Sequence, residues 1–137
     1  MTLFVDSSTF YAAADRGDIS HRRAVEILSI GDPLVTTDHV LVEVWTLLRY
    51  RLDRSAAERF WAATRSGSAA IELVGAADLE AAWGIGGSFP DQDFSLVDRT
   101  SFAVMLRLGL TRAAAFDDHF AIFRFGNRGE RAFEVVR

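Results

Sequence analysis

Several acidic residues of this chain stand where a carboxylate needs a reason. Asp6 follows the apolar run Leu3-Phe4-Val5, at the point where a short buried strand should end. An aspartate there can cap a helix by accepting a backbone N–H, or it can face a ligand beyond the strand. Glu43 lies in a segment whose residues Val40, Leu41, Val44, Trp45, Leu47, Leu48 and Leu52 project to one wide apolar helical sector. It falls at the border of that sector, a position that also suits a glutamate with its head in water. Asp98 belongs to Ser95-Leu96-Val97-Asp98, a capping-box pattern in which glutamate is the better fourth residue. Yet Asp98 projects beside Phe102 and Met105, on a side that should be covered, and a buried carboxylate calls for a partner or a metal. Asp117 and Asp118 follow the small-residue run after Arg112, where a solvated turn is the ordinary expectation. Asp91 and Asp93 precede the Ser95 cap and read as a solvated loop.

The joint pattern says more than any member. Asp6 and Asp117 would end two strands that can be neighbours, and Glu43 and Asp98 lie within a turn or two of helix starts at the same edge. Carboxylates gathered there raise one another's pKa unless cations compensate. Magnesium takes oxygen ligands and keeps several waters, so it suits such a cluster. A divalent ion can there activate water and hold a phosphate for in-line displacement, which is the chemistry of a phosphodiesterase. The expected catalytic residues are Asp6, Glu43, Asp98 and Asp117. The expected ligands of Mg²⁺ (or Mn²⁺) are Asp6, Asp98, Asp117 and the adjacent Asp118, with either of the last two able to be the stronger.

The elements that must position these groups follow from periodicity and punctuation. Strands are expected at Leu3–Val5, Leu34–Thr36, Ile71–Val74, Arg112–Phe116 and Ala132–Val136. Between them, helices are expected at Phe10–Ala14, His21–Ser29, from a Thr37 or Asp38 cap to Arg51, from Asp53 or Ser55 to Arg65, Ala76–Trp83, and Ser95–Leu108 before Gly109. Gly84 to Gln92 reads as a glycine-rich loop. Short apolar strands alternating with helices predict a three-layer α/β/α fold around a parallel sheet of about five strands. In such sheets ligands bind beyond the carboxyl ends of the strands, where Asp6, Thr37-Asp38 and Asp117-Asp118 fall.

The chain's 137 residues fit a single domain, residues 1–137. Half of them are hydrophobic and 25% charged, an ordinary globular composition. There is no cysteine, which excludes disulfides, zinc thiolates and cysteine nucleophiles. The opening residues carry no basic, long apolar segment, and no membrane span is expected, so a cytoplasmic protein is the expectation. The net charge is −4, and all 15 basic residues are arginines. Net acidity argues against a diffuse nucleic-acid coat and leaves room for a local arginine rim. Arg49, Arg51, Arg99, Arg112 and Arg124 are candidates for phosphate contacts.

These motifs, in this order, resemble those of PIN-domain ribonucleases, and among them the VapC-type toxins of toxin–antitoxin pairs. Val5-Asp6-Ser7-Ser8 is similar to the opening motif, and Glu43 to the second acidic position. Ser95 to Met105 resembles the segment carrying the third, and Ala115 to Phe120 the fourth, with Asp117 three residues before a phenylalanine. The resemblance spans essentially the whole chain. It implies Mg²⁺ or Mn²⁺ as cofactor, an RNA substrate, a cognate antitoxin and frequent homodimers. Many relatives place a threonine two residues before the last aspartate; here Ala115 stands there, so a hydroxyl that would hold Asp117 is missing. An antitoxin would lay apolar side chains in a groove walled by Phe10, Tyr11 and Trp45 and send a cation toward the carboxylates. The alternatives are a PIN fold that only binds, and a nuclease of DNA. A phosphoacceptor domain would need a lysine near the phosphoryl group, and the chain has none.

Overall fold

A computed structural model describes residues 1–137. It shows a five-stranded, wholly parallel sheet with helices on both faces, the layered architecture expected from the sequence. The elements run β1 (Leu3–Val5), α1 (Ser7–Ala14), α2 (His21–Leu28), β2 (Leu34–Thr37), α3 (Asp38–Arg51), α4 (Arg54–Arg65), β3 (Ala70–Glu72), α5 (Ala76–Ser88), α6 (Leu96–Leu108), β4 (Arg112–Ala114), α7 (His119–Ile122) and β5 (Glu134–Val136).

The strand order is β3-β2-β1-β4-β5. The chain therefore builds outward from β1 in one direction, returns, and builds outward in the other. Phe4 pairs with Val35 on one side and with Ala113 on the other. The reversal point lies between the carboxyl ends of β1 and β4, and that is where an open parallel sheet leaves a crevice for a ligand.

One sheet face packs Leu3 and Ala114 against Ile27 of α2. The other carries the larger core, with Phe4, Val35 and Ala113 against Phe102, Phe120 and Phe133. Phe102 crosses Phe120 edge-on at 4.9 Å and stacks on Phe123 at 4.4 Å. Pairs of this kind add about 0.5–1.5 kcal/mol beyond burial of their area. The alanines of β4 are fully buried, and their small side chains let this aromatic layer lie close to the sheet.

Helix starts are fixed by side-chain caps. Thr37 Oγ1 accepts the Val40 N–H at 3.1 Å, and Asp53 accepts the Ala56 N–H at 2.8 Å. Ser20 occupies the cap position of α2 without a cap bond, while Asp18 holds the Ser20 N–H at 2.8 Å.

Three expectations about elements are corrected. Helix α5 does not stop at Trp83 but continues through Gly84, Gly86 and Gly87 to Ser88. Its packing against α6 overrides the weak helix propensity of glycine. A side chain at Gly86 would collide with the Arg99 guanidinium, so the glycine makes room for that contact. Strand β3 ends at Glu72, and the Val74 N–H turns away to donate to Asp38 at 2.9 Å. The residues after Asp118 form the single-turn helix α7 instead of an open turn.

Candidate metal centre

Asp6 leaves the end of β1 fully buried and caps α1. Its Oδ2 accepts the Ser8 N–H at 3.2 Å and the Ser8 hydroxyl at 2.7 Å. The same Ser8 oxygen accepts the Phe116 N–H at 2.9 Å, so one hydroxyl ties the loop after β4 to the carboxylate that ends β1.

Ser7 reaches the other way. Its hydroxyl donates to Glu43 Oε1 at 2.9 Å and lies a weaker 3.4 Å from Asp6 Oδ1. Glu43 is half-buried in the second turn of α3, which begins at the same sheet edge.

Asp98 sits in the first turn of α6 and is buried, 7% exposed. The capping box is real: Ser95 Oγ accepts the Asp98 N–H and Asp98 Oδ2 accepts the Ser95 N–H, both at 3.0 Å. That oxygen also meets His119 Nδ1 at 2.6 Å. Asp117 Oδ1 accepts the His119 N–H at 3.0 Å, so His119 braces one aspartate with its backbone and another with its ring.

Asp6, Asp98 and Asp117 each offer an oxygen, and these oxygens lie within 4.8 Å of one another. Glu43 is outside this trio and shares its electrostatic field. Asp118 is not brought in. It is a surface residue whose Oδ1 accepts from Arg137 at 2.9 Å. Asp117 thus belongs to the trio, while its neighbour Asp118 is paired with Arg137 at the surface.

The electrostatics agree with the crowding. Burial, reinforced by the charges of Asp117 and Asp98, raises the Asp6 carboxyl to about 7 against the opposing hydrogen bonds from Ser8. Burial also raises Glu43, with further upward pushes from Asp98 and Asp117 and a downward one from Ser7. At His119 burial disfavours the charged ring, but the hydrogen bond and charge of Asp98 outweigh it, and the pKa moves up. Three carboxylates this close, with only an imidazole as a local cation, form an oxygen-only donor set suited to a hard divalent ion. In each of them one oxygen is already held by a donor of the chain, which fixes the orientation of the other.

Sequence reasoning singled out the carboxylates but gave Ser7, Ser8 and His119 no role beyond their place in a motif. Phe10, expected as a groove wall, is a core residue packed on Phe60 at 5.3 Å. Trp45 instead lines a shallow apolar hollow with Leu41, Val42 and Trp61 on the outer side of α3 and α4.

Over 124 residues, 90% of this chain and 95% of theirs, the chain is 38% identical to the 23S rRNA-specific endonuclease VapC20 of two Mycobacterium tuberculosis strains. The crystal structure of M. tuberculosis VapC20, described as a sarcin–ricin loop cleaving toxin, superposes with a TM-score of 0.83 at 37% identity, covering 87% of this chain and 92% of that one. The VapBC2 structure from Rickettsia felis, bound to a promoter DNA fragment, shares the fold at a TM-score of 0.66 and 11% identity, covering 86% and 89% of the two chains. The family description that matches residues 3–126 is the PIN domain, and this chain belongs to that family.

Proposed function

We propose that the chain is a divalent-metal-dependent endoribonuclease that acts as the toxin of a VapBC-type pair. The observation that carries this reading is the trio of carboxylate oxygens within 4.8 Å at the sheet's reversal point. The 38% identity to an endonuclease of 23S ribosomal RNA supports the substrate class. Asp6, Asp98 and Asp117 would hold Mg²⁺ or Mn²⁺, with Asp118 left to its arginine. A divalent ion bound there supplies a Lewis acid that lowers the pKa of water and neutralises a phosphate.

The chain's own residues do the rest. Ser8 fixes the Asp6 carboxylate and the loop bearing Asp117 in one frame. His119 and the Ser95 N–H hold Asp98 from the opposite side. Glu43, raised by burial and steadied by Ser7, is placed to take or give a proton at the edge of the trio. A half-buried carboxyl with an upward-shifted pKa is better matched to proton transfer near neutrality than an ordinary glutamate.

The toxin assignment brings two partners. A cognate antitoxin would cover the hollow of Leu41, Val42, Trp45 and Trp61, where the buried Trp45 Nε1 has no acceptor. A second copy of the chain would cover Leu79 and Trp83, exposed one turn apart on α5. No helix is long and apolar enough to cross a membrane, and the proposed place of action is the cytoplasm, with the ribosome.

The test is cleavage of ribosomal RNA with Mn²⁺, with Mg²⁺ and with EDTA, beside the Asp98→Asn variant. Cleavage only with metal, and at least a hundredfold loss in the variant, is the expected result. A wild-type chain that binds RNA but never cuts it would leave a binding module, and one that cuts only DNA would change the substrate.

A further inference from the structure

The five arginines set aside for phosphate contacts separate once their surroundings are seen. Arg112 lies at the amino end of β4, paired with Asp32 at 3.3 Å and Glu134 at 3.7 Å, on the sheet edge away from the carboxylates. Arg124 is spent on the last carbonyls of α7, donating to Ala121 O and Phe123 O. Arg99 donates through Nε to Phe94 O at 3.0 Å, with its fork against Gly86. Arg49 is exposed and does not line the cleft of the carboxylates.

Arg51 differs from all of these. It is the one basic residue lining the cleft of about 420 Å³ that Glu43 and Asp117 also line. No carboxylate lies within ion-pairing distance of it. Its guanidinium is instead laid over the Tyr11 ring, 5.1 Å from the centroid. That ring is itself fixed, because Tyr11 is buried and its hydroxyl donates to Asp15 at 2.8 Å. Asp15 is held in turn by the Gly17 N–H at 2.9 Å. Asp18, the acid at this end of the cleft, has its Oδ1 engaged by the Ser20 N–H at 2.8 Å.

Glu43, Leu47 and Arg51 are spaced at i, i+4 and i+8 on α3, so they share one face, and eight residues advance roughly 12 Å along the axis. A phosphate at Arg51 is therefore a different phosphate from one at the carboxylates. An arginine stacked on an aromatic ring keeps its outer N–H donors free in a fork that matches phosphate oxygens, and the stacking lowers the ordering cost of using them.

We propose that the Arg51–Tyr11 end of this cleft is a phosphate subsite for the RNA strand, gripping a neighbouring phosphate while the carboxylates meet the bond to be cut. The proposal rests on the nuclease reading above. It gives the strand a direction across the cleft, acidic at the cutting end and cationic at the holding end.

The test uses the full chain and a single-stranded oligoribonucleotide in two assays. Binding is measured in EDTA across a salt series, and cleavage is measured with Mn²⁺. Arg51→Gln should weaken binding about tenfold and flatten the slope of log K against log salt by about 0.7, the contribution of one phosphate contact on a single strand. KM should rise with kcat changed by less than about threefold, and Mn²⁺ affinity should not fall. Arg51→Lys should restore the slope but not the full affinity. Arg49→Gln, on the exposed turn beside it, should leave affinity within about twofold. Unchanged binding in Arg51→Gln overturns the subsite, as does an equal loss in Arg49→Gln, which would mean diffuse attraction. Failure of the nuclease reading would look different: the wild-type chain itself would show no metal-dependent cleavage.

Discussion

Replacing Asp6 with asparagine should stabilise the metal-free protein above neutral pH while abolishing cleavage. Burial and the charges of Asp117 and Asp98 raise this carboxyl from its ordinary 3.8 to about 7. Because the folded pKa is the higher one, the folded chain keeps a proton that the unfolded chain has released between about pH 4 and pH 7. Stability therefore falls as pH rises through that window and levels off above it. A shift of about three units corresponds to roughly 4 kcal/mol of stability missing at pH 8. Asparagine removes the charge but weakens the two bonds from Ser8 that favour the carboxylate, a loss of about 1–2 kcal/mol. The variant should therefore be about 2 kcal/mol more stable than wild type at pH 8, equivalent to roughly 6–10 °C in Tm. At pH 4, where wild-type Asp6 is already protonated and loses the charge-assisted part of those bonds, the gap should close to within about 1 kcal/mol. Urea unfolding in EDTA at the two pH values gives both gaps, and other titrating groups cancel in the difference. Adding Mn²⁺ should reverse the order at pH 8, since binding at a hundredfold excess over Kd contributes about 2.7 kcal/mol to wild type and little to the variant. A gap of the same size and sign at pH 4 and pH 8 would refute the claim that Asp6 is strained by its neighbours.

Asp117→Asn should lower Mn²⁺ affinity about tenfold, whereas Asp118→Asn, which only frees Arg137, should change it by less than about twofold; titration calorimetry decides, and the opposite ranking would move the fourth carboxylate by one residue. His119→Ala should cost about tenfold in Mn²⁺ affinity and His119→Asn less, because an amide can still reach Asp98; equal affinities for all three proteins would remove His119 from the site. Arg107→Met leaves the buried Asp78 with only the Gly75 N–H and should destabilise the chain by about 1–2 kcal/mol in urea unfolding with cleavage rate unchanged. The Asp78 carboxyl is held below its usual value first by its Arg107 hydrogen bonds, so that contribution is present at neutral pH and is lost as pH falls through the lowered pKa.

The parts of the fold that were legible are those where one periodic signal acts alone. β1, α3 and α6 have apolar patterns long or sharp enough to fix them, and the caps at Thr37, Asp53 and Ser95 lie where expected. The misread parts are those where a tertiary contact overrules a local rule. Three glycines in four residues argue against a helix at roughly 1 kcal/mol each. Nevertheless α5 continues through them because its other face packs on α6, anchored by the buried Ala82 and by Asp78 on Arg107. Helix α7 is four residues long, too short for any period to show.

The same logic divides the site. Asp98 could be recognised because it conflicts with its surroundings: a carboxylate facing Phe102 and Met105 breaks the apolar pattern, and such breaks concentrate where a chain does something besides fold. Ser8 offers no conflict, since a serine three residues past a strand end is ordinary helix-start chemistry. Its second bond, to the Phe116 N–H, joins residues 108 apart in sequence and exists only because β1 and β4 are neighbours in the sheet. His119 is hidden in the same way, its ring reaching Asp98 only after α7 has turned. Asp98 is thus written in the sequence as a violation, and Asp6 and Asp117 only as members of a joint pattern. The groups that aim them look like conformity, and their function comes from the strand order that brings β4 back beside β1.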